Sequence, residues 1–380
     1  MTRLLARLGA VRSRAVAGMR AWRHRARRFG TPIGFPQQAG RPILELTVVP
    51  DPTSRPFRRL VGRARRAGSV RLTPALGADT GAGIEMLARA GAPLTSESMS
   101  AALRDALPLE LVAVIERPAF DPADPLERER HSVELRRVAR RPTGPEPLIS
   151  VLLASRRPAD LPAAVAMVRD QRGCRVQLCV GLHGDDWPDD IESTLEVGGA
   201  VEGVVAERFA DEVDLGTMLD RLGRRADGAY VSKWDDDDHY GRDHLADLVA
   251  ALDYSGAQIV GKAAEFVHLE AIDTTIRRYA TGAEHYSTTL AGGTLLLETA
   301  TLRRIGGWPA GPRRVDGLLI DEILAQGGSS YRTHGFQFVL RRRPPEPTGG
   351  HTWHAPDAYF LDASVDRRPG LDLPFAGVDG

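Results

Sequence analysis

The sequence predicts an α/β fold: a mixed, mostly parallel sheet flanked by helices, preceded by a small α/β region and a basic tail. Three observations carry this. Strand-like runs ("LISVLLAS", "RVQLCVGL", "AYVSKW"), the first continuously apolar up to its small and polar end, alternate with stretches whose apolar residues recur every three or four positions. Buried parallel strands and their crossover helices read this way. The third observation is "KWDDDDHYG", Lys233 to Gly241, which sets four carboxylates side by side where one of those strands ends. In parallel sheets, ligands bind beyond the carboxyl ends of the strands.

A chain of 380 residues has room for two or three domains, and 42% hydrophobic with 26% charged residues is a globular composition. The net charge is zero, so the overall balance predicts no acidic partner. Residues 1–30 nevertheless hold nine Arg and no Asp or Glu. They read either as a disordered basic tail or as an amphipathic helix (Leu4, Leu5, Leu8, Val11, Val16, Met19) making peripheral contact with an anionic membrane surface. No apolar run reaches the roughly 20 residues that span a bilayer, and no h-region marks a secretory signal. Nucleic acid is not an expected partner, because the basic residues concentrate in the tail without interleaved stacking aromatics. Cys174 and Cys179 fall on opposite faces of a predicted strand, which argues against a local disulfide, and the expected compartment is the reducing cytoplasm. Lys occurs only twice, at Lys233 and Lys262, both near the acidic run.

Taken in order, residues 1–40 are the tail and a Pro/Gly linker ("TPIGFPQQAGRP"), and residues 41–145 the small α/β domain. In the latter, "ILELTVVP" and "LELVAVIE" read as strands, and "GIEMLARAGA" and "SESMSAALRDAL" as helices, the second with Ser or Thr caps. A main domain follows over 146–355. "LISVLLAS" is its first strand, and "ADLPAAVAMVRDQRG" a helix with Leu161, Ala164, Val165 and Val168 on one face. "RVQLCVGL" is the second strand, and "LGTMLDRLGRRADG" a helix closed by Gly228. "AYVSKW" runs into the four Asp. "RDHLADLVAALDYSGA" is then a helix and "QIVGK" a strand, while residues 356–380 read as a C-terminal tail.

In an extended chain Asp235 and Asp237 share one face, and Asp236 and Asp238 the other. Carboxylates converging on one point need a cation, and Mg²⁺ or Mn²⁺ takes one or two of them while leaving room for substrate phosphates. The competing reading is a solvated acidic loop in which Asp238 or Asp243 caps the next helix. A calcium loop is disfavoured, because the spaced ligand pattern is absent.

Three blocks in order carry a resemblance: "PLISVLLASRRPADLPAAVAMVRDQ", "RADGAYVSKWDDDDHYGRDHLADLV" with its G-x-Y-x-x-x-x-D-x-D-D spacing, and "AGGTLLLETATLRRIGGWP". From Pro147 to about Trp353 the chain resembles the family 2 inverting glycosyltransferases of GT-A fold. The resemblance implies a nucleotide-diphosphate sugar donor, a glycan or lipid-linked acceptor, a divalent metal (Mn²⁺ or Mg²⁺), and a role in cell-surface polysaccharide synthesis. It gives Asp235 and Asp237 the metal, with Asp238 beside them and Asp236 on the substrate side. It sets Ala154 and Ser155 against the nucleotide base. The family's Asp closing the second strand has no clean match, leaving Asp185 or His183. Asp220 falls where the family often has Asn near the nucleotide, and is equally a structural helix residue. The catalytic base corresponds to Asp316, with Gly327 eleven residues on. The family's preceding Glu is here Val315, and Asp321 and Glu322 are the rivals. Trp308 is a candidate sugar-stacking aromatic. His351 is a candidate additional metal ligand, or with Trp353 an acceptor-site wall. Arg341 to Arg343 could meet diphosphate or form a solvated strand end. Alternative readings are a catalytically silent nucleotide-sugar binding module and a sugar nucleotidyltransferase, the latter lacking its glycine-rich phosphate loop.

Overall fold

A computed structural model describes residues 42–117, 120–121, 124–140, 144–191, 195–278, 283–344 and 356–378. The basic tail, with its expected membrane contact, lies outside the described residues. The described residues fall into two compact units, within Arg25–Thr143 and Gly144–Gly380. No helix among them is long and apolar enough to cross a membrane.

In the first unit, strands β1 (Leu44–Leu46), β2 (Val70–Leu72) and β3 (Leu94–Thr95) pair in parallel in that order. Helix α1 (Arg55–Ala64) opens on Ser54, whose hydroxyl accepts from the Phe57 N–H, and α2 (Gly81–Arg89) completes the crossover to β3. Helix α3 (Ala101–Asp105) is capped by Ser100. The run "LELVAVIE", expected as a strand, is instead helix α4 (Leu109–Ile115). Its buried residues, Leu111, Val112, Val114 and Ile115, form one helical stripe, while Leu109 is exposed. A short apolar run does not by itself distinguish a buried strand from a buried helix, and here the helical face won. Helix α5 (Pro125–Ala139) closes the unit over a core that includes Phe57, Leu72, Ile84 and Leu135.

The second unit is built on an eight-stranded mixed sheet. Strand β4 (Leu148–Ser155) leads through α6 (Leu161–Arg169) to β5 (Arg175–His183) and then β6 (Val201–Phe209). Helix α7 (Leu215–Arg224) returns the chain to β7 (Tyr230–Asp235), on the other side of β4. β4, β5, β6 and β7 are parallel. The C-cap of α7 is Arg225, not the expected Gly228. Gly228 is required for a different reason: a Cβ there would lie 2.6 Å from the Ser150 backbone nitrogen of β4.

After β7 come β8 (His239–Tyr240), α8 (His244–Ser255) with Gly256 as its left-handed cap, β9 (Ile259–Gly261), β10 (Phe266–Leu269) and β11 (Thr274–Arg278). They are followed by β12 (His285–Tyr286), β13 (Leu296–Glu298), α9 (Thr299–Arg304) and α10 (Val315–Ala325). Strands β14 (Ser330–Arg332) and β15 (Phe338–Arg342), helix α11 (Asp357–Asp362) and strand β16 (Ser364–Pro369) complete the unit. The large sheet runs β12-β14-β9-β13-β7-β4-β5-β6, with β13 antiparallel to both neighbours, and a five-stranded sheet runs β16-β11-β10-β15-β8. Residues 356–380, read from sequence as a tail, thus supply a sheet strand. Trp308, Leu319 and Leu222 share the core under the large sheet.

Candidate functional site

The chain leaves β4 in one direction to reach β5 and β6 and returns to place β7 on the opposite side, so the β4/β7 boundary is where the strand order reverses. A crevice opens at such a point beyond the carboxyl ends of the strands. Ala154 and Asp235 face each other across that boundary as register partners. The four Asp begin at this end of β7, and β8, immediately after them, belongs to the other sheet. The run is therefore a turn between two sheets. The alternation expected of an extended strand stops at Asp235, and residues 236–238 bend away.

Each carboxylate consequently has its own partner. The Lys233 ammonium donates to Asp235 Oδ1 at 2.7 Å. Asp236 accepts from the Ser155 hydroxyl and from the Arg157 guanidinium, and the same guanidinium lies 3.0 Å from Asp237 Oδ2. Asp238, fully enclosed, accepts from the backbone N–H of Arg341 on β15 at 2.9 Å. Burial pushes the Asp236 carboxyl up to about 6, against the pull of Arg157 and Ser155 and with the repulsion of Asp237 and Asp235. Burial likewise holds Asp238 well above the usual carboxylate range, reinforced by Asp235 and Asp237. Asp235 is the most open of the four, with 40% of its side chain exposed.

Asp316 comes to the same place from the first turn of α10, where the helix dipole favours an anion. Arg314, in the left-handed region at φ +57°, turns the chain into this helix. The N-cap position of this helix is Arg314, and Asp316 lies inside the first turn. Its Oδ2 lies 3.5 Å from the Lys233 ammonium, while its Oδ1 is buried and has no hydrogen-bond partner among the described residues. Burial raises its pKa, partly offset by Lys233, with Asp235 adding to the rise. The rivals point elsewhere. Asp321 lies 3.7 Å from Arg314, and the exposed Glu322 accepts from Gln326.

The floor beneath these two carboxylates is Gly292–Gly293. A Cβ on Gly292 would collide with Asp316 Oδ2, and one on Gly293 would lie 2.7 Å from Asp235 Oδ2. Tyr240 locks this floor to the strand end: its hydroxyl donates to the Gly293 carbonyl at 2.9 Å and accepts from the Asp235 N–H at 3.0 Å. Trp234 stacks on the Tyr240 ring at 3.9 Å. Lys233, Arg157, Tyr240 and the two glycines were not assigned roles from sequence. The legible signals were the scarcity of lysine and the "AGGT" quoted above.

The other expected residues divide. Ser155 is at the site through Asp236. Asp185 is exposed in the turn after β5, and His183, on the strand end itself, has a buried Nε2 without a hydrogen-bond partner among the described residues. Asp220 accepts from the Trp308 N–H at 3.1 Å and from Arg224 at 2.8 Å, so it pins the Gly306–Trp308 turn. Trp308 itself is only 3% exposed and sits in the core, which corrects its reading as a sugar-facing aromatic. Arg341 pairs with Glu270 and Arg343 with Asp160, so this strand end is an ion network rather than a solvated fringe. His351 and Trp353 lie outside the described residues.

Among the described residues no group of three or more His, Cys, Asp or Glu is gathered to hold a metal ion. Asp235 and Asp237 do supply hard oxygen donors, and Lys233 occupies only Oδ1 of Asp235. That donor set fits an ion held by one or two carboxylates and completed by substrate phosphates, and does not fit a closed protein cage.

No protein-family model and no curated protein matches the chain. Among solved structures, it is similar to the mannosyltransferase PcManGT from Pyrobaculum calidifontis, in complex with GDP-Man and Mn²⁺. The identity is 15% and the TM-score 0.42, over 54% of this chain and 59% of that one. It is also similar to S. aureus TarS in complex with UDP-GlcNAc, at 13% identity and a TM-score of 0.36, over 52% of this chain and 59% of that one. The chain thus spans less than two thirds of the length of these structures.

Proposed function

We propose that the chain is an inverting glycosyltransferase that moves a sugar from a nucleotide-diphosphate donor to a glycan or lipid-linked acceptor. The observation that carries this reading is the pairing of Asp316 with the acidic end of β7 across one buried lysine, with Asp316 Oδ1 left unpartnered among the described residues. The donor would lie beyond β4 and β7, its nucleotide near Ala154 and Ser155. The acceptor hydroxyl attacks the anomeric carbon while the Asp316 carboxylate takes its proton, and the bond to the diphosphate oxygen breaks with its electron pair on the leaving group. Burial raises the affinity of Asp316 for that proton, which suits a base. A divalent cation on Asp235 and Asp237 would stabilise the charge developing on the diphosphate. Cell-surface polysaccharide synthesis at the inner face of the plasma membrane, with the Arg-rich start against anionic lipid, belongs to the same proposal.

A second reading, a silent nucleotide-sugar binding module, is favoured by Val315, which is buried where the resembled family carries Glu. Calorimetric titration with UDP and GDP, each with and without Mn²⁺, and a donor-turnover assay separate the two. The expected outcome is metal-dependent binding of one nucleotide, with turnover that Asp316→Asn lowers by about 10² to 10⁴-fold while nucleotide affinity stays unchanged. Binding without turnover in the wild type supports the silent module. No binding of either nucleotide sinks both.

A further inference from the structure

Among the described residues, Lys233 pairs with carboxylates from both halves of the proposed chemistry. It is 3% exposed, on the same face of β7 as Asp235 two residues on, and its backbone N–H is fixed by the Leu295 carbonyl of the neighbouring chain segment. A buried ammonium is tolerated only when paired, and its partners come from elements far apart in sequence: Asp235 at the end of β7 at 2.7 Å, and Asp316 in the first turn of α10 at 3.5 Å. The contacts are selective by atom. Lys233 faces Oδ1 of Asp235 and Oδ2 of Asp316. The opposite oxygens are Asp235 Oδ2, lying over Gly293, and Asp316 Oδ1, buried without a hydrogen-bond partner among the described residues. The two glycines beneath leave room for Asp316 Oδ2 and Asp235 Oδ2, which a Cβ at either position would displace.

We infer that Lys233 is a positioning residue that sets the separation of Asp235 from Asp316 and holds the Asp316 carboxylate against the acidic end of β7. The inference rests on the transferase reading above and deepens it. Two carboxylates this close repel, and without the ammonium the Asp316 side chain has no favourable partner on the strand side. A single point charge on a flexible stem is suited to this, since it can satisfy two acceptors at unequal distance. The contact affects the step in which the proton moves, not the affinity for nucleotide, because Lys233 is enclosed and meets the two carboxylates rather than the nucleotide.

The test uses the full chain with Lys233→Met, which keeps the apolar length and removes the charge. Donor turnover, nucleotide affinity by calorimetry and melting temperature are measured together. Displacing a reacting group by about 1 Å costs on the order of 100-fold, so kcat should fall about 100-fold with nucleotide Kd within about threefold of wild type. Wild-type kcat, or a parallel loss of affinity and turnover, overturns the inference. Should Lys233→Met fail to fold, Gly292→Ala decides: its Cβ collides with Asp316 Oδ2, the oxygen that faces Lys233, and displaces that contact while leaving the lysine intact. The same split of kcat from Kd is expected there, and unchanged kcat overturns the inference. A wild-type chain that binds neither nucleotide and turns over no donor removes the transferase reading itself and the inference with it, a result distinct from both variant outcomes.

Discussion

At the scale of the residue, four adjacent aspartates coexist because each is held differently: by a lysine, by a serine and an arginine, by the same arginine, and by a backbone N–H from the second sheet. A run of like charge in sequence need not be one electrostatic object in the fold. Trp308 makes the complementary point. Its position after Gly306–Gly307 reads as a substrate wall, but both glycines have positive φ and turn the indole inward, with Asp220 holding the turn. Trp308→Ala should therefore cost about 3–5 kcal/mol of folding stability, measured by denaturant unfolding. Nucleotide affinity of the folded fraction should stay at the wild-type value.

At the scale of the element, β4 was legible as a run of continuous apolar residues, because a strand buried on both faces needs no polar alternation. Helices α6 and α8 were legible from their three- and four-residue spacing. The misreading of α4 has the converse cause: seven residues are too few for the helical period to declare itself. Gly228 shows how a correct residue can carry a wrong reason. It lies past the end of α7, its N–H donates to Ser150 Oγ at 2.9 Å, and its carbonyl accepts from Thr299 at 2.6 Å. It is glycine because β4 passes directly over it. Gly228→Ala presses a methyl against the β4 backbone, which cannot yield as a side chain tip would. The expected loss is about 1–3 kcal/mol, read as a lowered unfolding midpoint at unchanged m-value, and a neutral result would refute the packing account.

At the scale of the whole molecule, each unit carries a buried histidine whose lowered pKa adds to the pH dependence of stability. In the first unit, burial lowers the His131 pKa, against its hydrogen bond to the Leu94 carbonyl at 2.7 Å. In the second, burial holds His244 well below its ordinary value, with Lys262 acting in the same direction. A base whose pKa is depressed on folding binds protons more tightly when unfolded. Its contribution is therefore present above the ordinary histidine pKa of about 6.5 and is lost as pH falls through the folded value. Asp236, raised to about 6, acts in the opposite sense, losing its contribution as pH rises from about 4 through that value. His131→Gln keeps a donor for Leu94 and removes the titration. Its melting temperature should drop less than that of the wild type between pH 7.5 and pH 5, and an equal drop would exclude His131 from the acid response.

The sequence by itself determined the class of the main unit and the strand end at which the carboxylates gather, because apolar periodicity and charge placement are local properties of the chain. Only the tertiary structure decided what those carboxylates touch. That Lys233 reaches Asp316, that Gly292 and Gly293 make the room, that Asp238 is claimed by β15, and that residues 364–369 close a sheet all depend on segments far apart in sequence. Contacts of that kind are fixed by how sheets and helices pack, and no spacing along the chain encodes them.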